Sequence, residues 1–279
     1  MTAYIIVIAG LFGLLIGSFL NVVVYRVPAG ISLMRESRCP HCDARVRPWE
    51  NIPVLSWVFL RGHCASCAAS ISVRYPLVEA LTGGVFAAIA WWWSAGPGSV
   101  AVLAGRSGLD GWSAVVLAVA FLYLASVSIV LTLIDLDTHR LPNAIVLPSY
   151  VVAAVLLALA ALLSADPGAL LRAAIGMAAL YVFYYVLRLI RPDGMGGGDV
   201  KLAGVLGLYL GYVGWGALAV GAFAAFAIGG VVGVALMILR RADRKTAIPF
   251  GPWMILGAWV GLASGEAIAR WYVGMFVAP

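Results

Sequence analysis

Asp135, Asp199 and four cysteines are the residues of this sequence whose types and spacing can do chemistry. Asp135 stands in Ile134-Asp135-Leu136-Asp137, and Asp199 in Gly196-Gly197-Gly198-Asp199-Val200-Lys201. Each follows or opens a long apolar stretch. One aspartate at a helix start reads as an N-cap, because its carboxylate accepts backbone hydrogen bonds. Two carboxylates on different helices at one depth can do more. They share a proton, so that one is ionised and one neutral. The ionised member takes a proton from water and the neutral one polarises a carbonyl, which is aspartyl hydrolysis without a covalent intermediate. Nothing in the sequence resembles a serine or cysteine nucleophile with its base: there are only three histidines, and none lies in a Gly-x-Ser-x-Gly context.

The cysteines form two pairs, Cys39-Pro40-His41-Cys42 and Cys64-Ala65-Ser66-Cys67, with 21 residues between them. That spacing is just outside the usual zinc-ribbon range. Four thiolates close a tetrahedral structural zinc site and leave no open position for catalysis. His41 and His63 adjoin the pairs and read as bystanders.

The elements that position these groups belong to a membrane protein. The 279 residues are 63% hydrophobic and only 11% charged, with a mean hydropathy of +1.02. A soluble domain carries ~25% charged residues. An all-α polytopic fold of about eight spans is expected, each of about 20 residues. They run roughly over Tyr4–Tyr25, Pro76–Ala95, Trp112–Ile134, Asn143–Leu163, Ala169–Leu189, Val200–Leu210, Val213–Leu239 and Phe250–Val273. This divides the chain into a first helix (1–26), a cytoplasmic tetracysteine loop (27–75) and a membrane core (76–279). A loop of ~50 residues cannot bury much, so a metal staple suits it. No basic n-region or small-residue cleavage site marks a signal peptide, so the first span is expected to remain.

Basic residues give the orientation. Arg26, Arg35, Arg38, Arg45, Arg47, Arg61, Arg74, Arg140, Arg188, Arg191, Lys201, Arg240, Arg241, Arg244 and Lys245 fall on one side of eight spans; Arg106, Arg172 and Arg270 fall on the other. The positive-inside rule puts the larger group in the cytoplasm and both termini outside. The cysteine loop, Asp135 and Asp199 are then cytoplasmic or at that boundary. The net charge of +6 thus reports orientation and implies no nucleic-acid partner.

Other polar residues have structural expectations. Ser18 and Asn21 hydrogen-bond a neighbouring helix. Glu79 pairs with Arg74 or Arg26, or is a functional intramembrane carboxylate. Glu266 pairs with Arg270 four residues on. Trp91-Trp92-Trp93 belongs to an interfacial belt. Gly214, Gly216, Gly221, Gly229, Gly230 and Gly233 suggest close packing of the seventh span. Gly196, Gly197 and Gly198 read as a loop that admits substrate backbone, with a helix starting near Asp199.

In this order the motifs resemble the type IV prepilin peptidases, bacterial intramembrane aspartic peptidases with a Gly-x-Gly-Asp motif. The resemblance runs through Gly17-Ser18-Phe19-Leu20-Asn21, the cysteine pairs, Arg74-Tyr75-Pro76-Leu77-Val78-Glu79, Ile134-Asp135-Leu136-Asp137 with Leu141-Pro142-Asn143, and Gly196–Lys201. It selects Asp135 over Asp137, by the spacing to Pro142, as partner of Asp199. Asn143 stands where many members have aspartate, and His63 where arginine is more usual. The resemblance implies an inner-membrane enzyme that cuts the basic leader from prepilins or type II secretion pseudopilins. It also implies N-methylation of the new N-terminus with S-adenosylmethionine, located at the first loop and the start of the second span, with Glu79 the candidate residue. No Rossmann glycine pattern supports the methyltransferase independently. A proton-coupled transporter, with Asp135, Asp199 and Glu79 as relay, and a non-enzymatic assembly factor docking through its zinc loop are the alternatives.

Overall fold

The computed structural model describes residues 2–95, 111–239 and 249–277. Arg106, Arg240, Arg241, Arg244 and Lys245 of the charge count lie outside the described residues. Among the described residues there is no strand, and eight helices of 17 to 28 residues stand at the eight expected positions. They are α1 (Thr2–Arg26), α3 (Arg74–Ala95), α4 (Gly111–Thr138), α5 (Asn143–Leu163), α6 (Pro167–Ile190), α7 (Gly197–Val213), α8 (Trp215–Ile238) and α9 (Gly251–Val277). A short helix, α2 (Leu55–Phe59), lies in the loop after α1. Six of them, α1, α3, α4, α5, α6 and α8, are long and apolar enough to cross a membrane, and the chain is an integral membrane protein. At 17 residues α7 falls short of a ~20-residue span. Glycines, Glu266 and Arg270 dilute the apolar character of α9.

The chain divides into two compact units. Unit 1 comprises residues 1–97 and 121–130, and unit 2 comprises residues 98–120 and 131–279. In unit 1, α1 lies against α3 through small residues. A Cβ built on Gly13 would meet Gly83 Cα at 2.8 Å, and one on Gly17 would meet Glu79 Cα at 2.7 Å. Only a missing side chain allows such backbone approach, the usual contact where lipid supplies no hydrophobic drive. Asn21 Nδ2 donates to the Tyr75 carbonyl at 3.1 Å, as expected of a polar residue in α1. Trp92 and Trp93 pack on Phe121, with ring centroids 6.2 and 6.1 Å away, so two of the three belt tryptophans serve packing.

Unit 2 is organised around α7, whose residues Leu202 to Val213 are all buried. A helix apolar all round belongs inside other protein, which is why a short helix suffices here. Gly207 and Gly211 let α7 approach the backbone of α6 at Gly176 and Arg172. The interruption expected between Leu210 and Val213 falls instead at Gly214, after α7 has run on to Val213. Gly257, Gly261 and Gly265 of α9 face Ala217, Gly221 and Ala225 of α8 at four-residue spacing. Gly221 therefore does the expected packing, whereas Gly230 and Gly233 have nothing within 4 Å of a built Cβ. Glu266 differs from expectation. Its Oε1 accepts from Gly216 N (2.8 Å) and Ala217 N (3.2 Å), capping α8 from 50 residues away rather than serving Arg270. The orphan N–H groups of a helix start are the stronger claim on a half-buried carboxylate.

Candidate active site

Asp135 lies in the last turn of α4 and is 4% exposed. The C-terminus of a helix is an electronegative place for a carboxylate. The compensation comes from another helix: Gly251 N, the first residue of α9, donates to Asp135 Oδ2 at 3.1 Å. A hydrogen bond to a charged group is worth ~1.5–3 kcal/mol. Pro252, which needs no N–H partner, keeps α9 starting at this point. A Cβ on Gly251 would stand 2.6 Å from Asp135 Oδ2, so the approach needs glycine. Asp137, two residues on, is exposed.

Asp199 is 9% exposed and belongs to the first turn of α7. Its Oδ2 accepts from Gly196 N at 3.0 Å. The expectation of a glycine loop ending near Asp199 is corrected here. Gly197 and Gly198 already form the helix, and only Gly196 lies outside it, with extended backbone. At 198 glycine has a steric cause, whereas at 197 the neighbour is the movable end of an exposed arginine. A Cβ at 197 would meet the Arg188 guanidinium at 2.7 Å, and one at 198 would meet Leu141 Cβ at 2.7 Å. Asp199 is thus the third residue of its helix, reaching back to the cap position, and not the cap.

Both aspartates belong to unit 2 and interact electrostatically. Tyr184, buried on α6, also feels Asp199, and its ring meets Phe226 (5.6 Å) and Phe250 (6.2 Å), the residue before Gly251. Two buried carboxylates, each steadied by one backbone N–H beside an aromatic wall, can activate a water and polarise a carbonyl. Sequence reasoning missed Gly251. The available signal was Pro249-Phe250-Gly251-Pro252, a helix start at the same expected membrane face as Asp135 and Asp199.

In unit 1 the four cysteine sulfurs lie within 4.8 Å of one another, and Cys39 and Cys67 Sγ are 3.9 Å apart. Tetrahedral zinc–sulfur bonds of ~2.3 Å would put sulfurs about 3.8 Å apart, so the tetrad fits that ion. His41 and His63 are not among the clustered ligands. Two matching turns build the site at an offset of 25 residues. Cys39 N donates to Ala44 O and Asp43 N to Cys39 O, both at 2.9 Å. Cys64 N donates to Ala69 O at 2.8 Å and Ala68 N to Cys64 O at 3.0 Å. Asp43 and Ala68 take matching left-handed φ of 55° and 57°. Single bridges, Arg38 to Arg45 and His63 to Ser70, close the two turns. The N–H groups of Cys42 and His41 favour the Cys39 thiolate, lowered to about 6. Ala44 N–H favours a Cys42 thiolate as well, but the thiols of Cys67, Cys39 and Cys64 together with burial push Cys42 up to about 12. A bound cation removes this conflict.

Arg26 and Glu79 hold the rest of the loop. Buried Arg26 donates from Nη1 to the carbonyls of Ser32 (3.3 Å), Leu33 (3.1 Å) and Arg35, and from Nη2 to Glu36 O (3.4 Å). Glu79, 8% exposed, accepts from Val54 N at 2.7 Å. Val54 has φ 62°, a strained value for a β-branched residue. Glu79 therefore braces a loop strap, a role beside the two that the sequence offered, an arginine pair or a functional carboxylate.

Comparison with known proteins matches residues 11–93 to the Bacterial Peptidase A24 N-terminal domain and residues 122–234 to the Type IV leader peptidase family. A prepilin leader peptidase/N-methyltransferase of Aeromonas hydrophila is 35% identical, covering 96% of this chain and 93% of its own. Proteins of that name from Stutzerimonas stutzeri (34%; 94% and 91% covered) and Neisseria gonorrhoeae (32%; 97% and 94% covered) are also similar. No solved structure matches. With both domains present in order, and relatives aligned over nearly its whole length, the chain belongs to the type IV leader peptidase family.

Proposed function

We propose that this protein cleaves the leader peptide from type IV prepilins or type II secretion pseudopilins, with Asp135 and Asp199 as the catalytic pair. The observation that carries the reading is that these two, among the described carboxylates of unit 2, are buried and each held by a backbone N–H group at a helix start. The ionised carboxylate takes a proton from water, whose oxygen attacks the scissile carbonyl carbon. The protonated carboxyl donates a hydrogen bond to the developing oxyanion. The C–N bond then breaks, the amine nitrogen takes a proton, and a carboxylate and a new N-terminus leave. The transporter and assembly-factor alternatives have no observation in their favour.

The tetracysteine loop is proposed to hold structural zinc through Cys39, Cys42, Cys64 and Cys67, which stiffens a segment too small to fold on its own core. The names of the relatives extend the reading to N-methylation of the new N-terminus. S-adenosylmethionine, held at the first loop and the start of α3, would supply the methyl group for that amine. Glu79 is proposed to shape the wall of the donor's site as its brace, since its Oε2 is taken by Val54. The charge bias supports an inner-membrane protein with both termini outside, and with the cysteine loop and both aspartates at the cytoplasmic side. The test is to incubate purified protein in detergent with a leader-bearing prepilin and weigh the product. A shortened pilin is expected, gaining a methyl group's mass when S-adenosylmethionine is added. An uncut substrate overturns the reading.

A further inference from the structure

Asp199 and Asp135 are steadied at two different helix starts, α7 and α9. Nothing covalent fixes the distance between those starts, and aspartyl chemistry needs both carboxyl groups within reach of one water and one carbonyl. A single side chain lies at both. Leu141, in the turn between α4 and α5, has its Cβ 2.7 Å from where a Cβ on Gly198 would be, and its Cδ2 3.5 Å from where a Cβ on Gly251 would be. Gly198 precedes Asp199 in the chain, and Gly251 is the donor to Asp135. Leu141 therefore reaches from the residue before Asp199 to the donor that holds Asp135.

The turn that carries Leu141 is itself tied down. Asn143 Oδ1 accepts from Lys201 Nζ at 2.9 Å, and Tyr150 OH on α5 donates to the Lys201 carbonyl. Asn143 fastens the start of α5, and Tyr150 a point two turns further on, to the second turn of α7. On the other side, His139 N donates to Asp135 O at 2.8 Å, and His139 adopts φ 51°. A non-glycine residue in the left-handed region is uncommon, and costs are of order 1–3 kcal/mol where the surroundings enforce it. The chain thus turns sharply at His139, one turn after Asp135, and is tied again at Asn143, just after Pro142.

We propose that Leu141 is a positioning residue: its side chain spaces the start of α7 from the start of α9 and so sets the separation of the two aspartates. This rests on the aspartyl reading above. Leu141 does not touch the reacting atoms; it acts through Gly198 and Gly251. Shortening it lets the two helix starts close in or slip, and a misplacement of about 1 Å can cost on the order of a hundredfold in rate. Such a loss belongs to the transition state, so it falls on kcat, whereas a residue that merely contacted substrate would change KM.

The experiment measures steady-state cleavage of a prepilin by purified wild type, Leu141→Ala, Leu141→Val and Leu141→Met, with Asp135→Asn as the inactive reference. Expected is a graded loss in kcat: within about threefold for methionine, which keeps the reach, then valine, then alanine at ten- to a hundredfold, with KM within about twofold throughout. Leu141→Ala turning over at the wild-type kcat, or a loss confined to KM, overturns the proposal. Should the alanine variant fail to fold, the valine variant decides by the same two criteria. A wild type that does not cleave, or an Asp135→Asn that does, marks failure of the aspartyl reading instead.

Discussion

Cys39 and Cys64 sit in turns closed by hydrogen bonds spanning five residues or fewer, whereas the N–H that meets Asp135 comes from 116 residues along the chain. The tetracysteine loop places its reactive groups by local backbone geometry, repeated once at an offset of 25 residues. Unit 2 places its carboxylates by helix starts and ends brought together only by packing. A local site tolerates change elsewhere but needs every ligand. A site assembled from distant helix termini keeps its groups only while the spacing of whole helices is right. The two regions should therefore fail differently.

The largest effect is expected in the loop. Replacing Cys39 and Cys42 by serine should take bound zinc from about one per chain to none and lower the thermal stability of the protein, read by metal analysis and a melting curve. The cleavage rate per folded molecule should stay within about threefold, since Asp135 and Asp199 have their own supports. Full metal content in this variant would break the contrast. Next comes Gly198→Val, whose Cβ would meet Leu141 Cβ at 2.7 Å and whose branching adds more bulk. Its kcat should fall about a hundredfold, and that of Gly198→Ala about tenfold. Gly251→Ala puts a methyl group 2.6 Å from Asp135 Oδ2. It should cost about tenfold in kcat, in line with ~1.5 kcal/mol for a weakened hydrogen bond to a charged group. Wild-type rates in all three would mean that the glycines are only connectors. Smallest is Glu79→Gln. The amide oxygen still accepts from Val54, so only about 1 kcal/mol of stability is lost and cleavage stays unchanged.

The same contrast governs what the sequence shows. The eight long helices follow from long apolar runs, and the cysteine cluster follows from Cys-x-x-Cys spacing, because both are local signals. The matching of the two cysteine turns is less visible, since their left-handed positions carry Asp43 and Ala68 rather than glycine. Asp135 and Asp199 are legible as carboxylates at the ends of apolar segments. Their supports are not. Gly251 and Leu141 are ordinary residues whose roles arise only when α4, α7 and α9 pack, and no periodicity encodes that meeting. Glu266 misled for the same reason. The pairing with Arg270 at i+4 is the local option, and the N-terminus of α8, 50 residues away, takes the carboxylate instead. The glycine run misled differently. Gly197 and Gly198 lie within the helix, and at Gly198 the missing side chain reflects the close approach of Leu141 rather than a broken helix.

The central claim is that Asp135 and Asp199 together do the chemistry. It is tested most directly by cleavage of a prepilin by purified Asp135→Asn, Asp199→Asn and Asp137→Asn, each checked for zinc content and a wild-type melting curve. An asparagine keeps the shape and can still accept the N–H of Gly251 or Gly196, but it cannot shuttle a proton. The account predicts no detectable product from Asp135→Asn or Asp199→Asn, and cleavage within about threefold of wild type from exposed Asp137→Asn. Product from either of the first two, or its loss in the third alone, would contradict it.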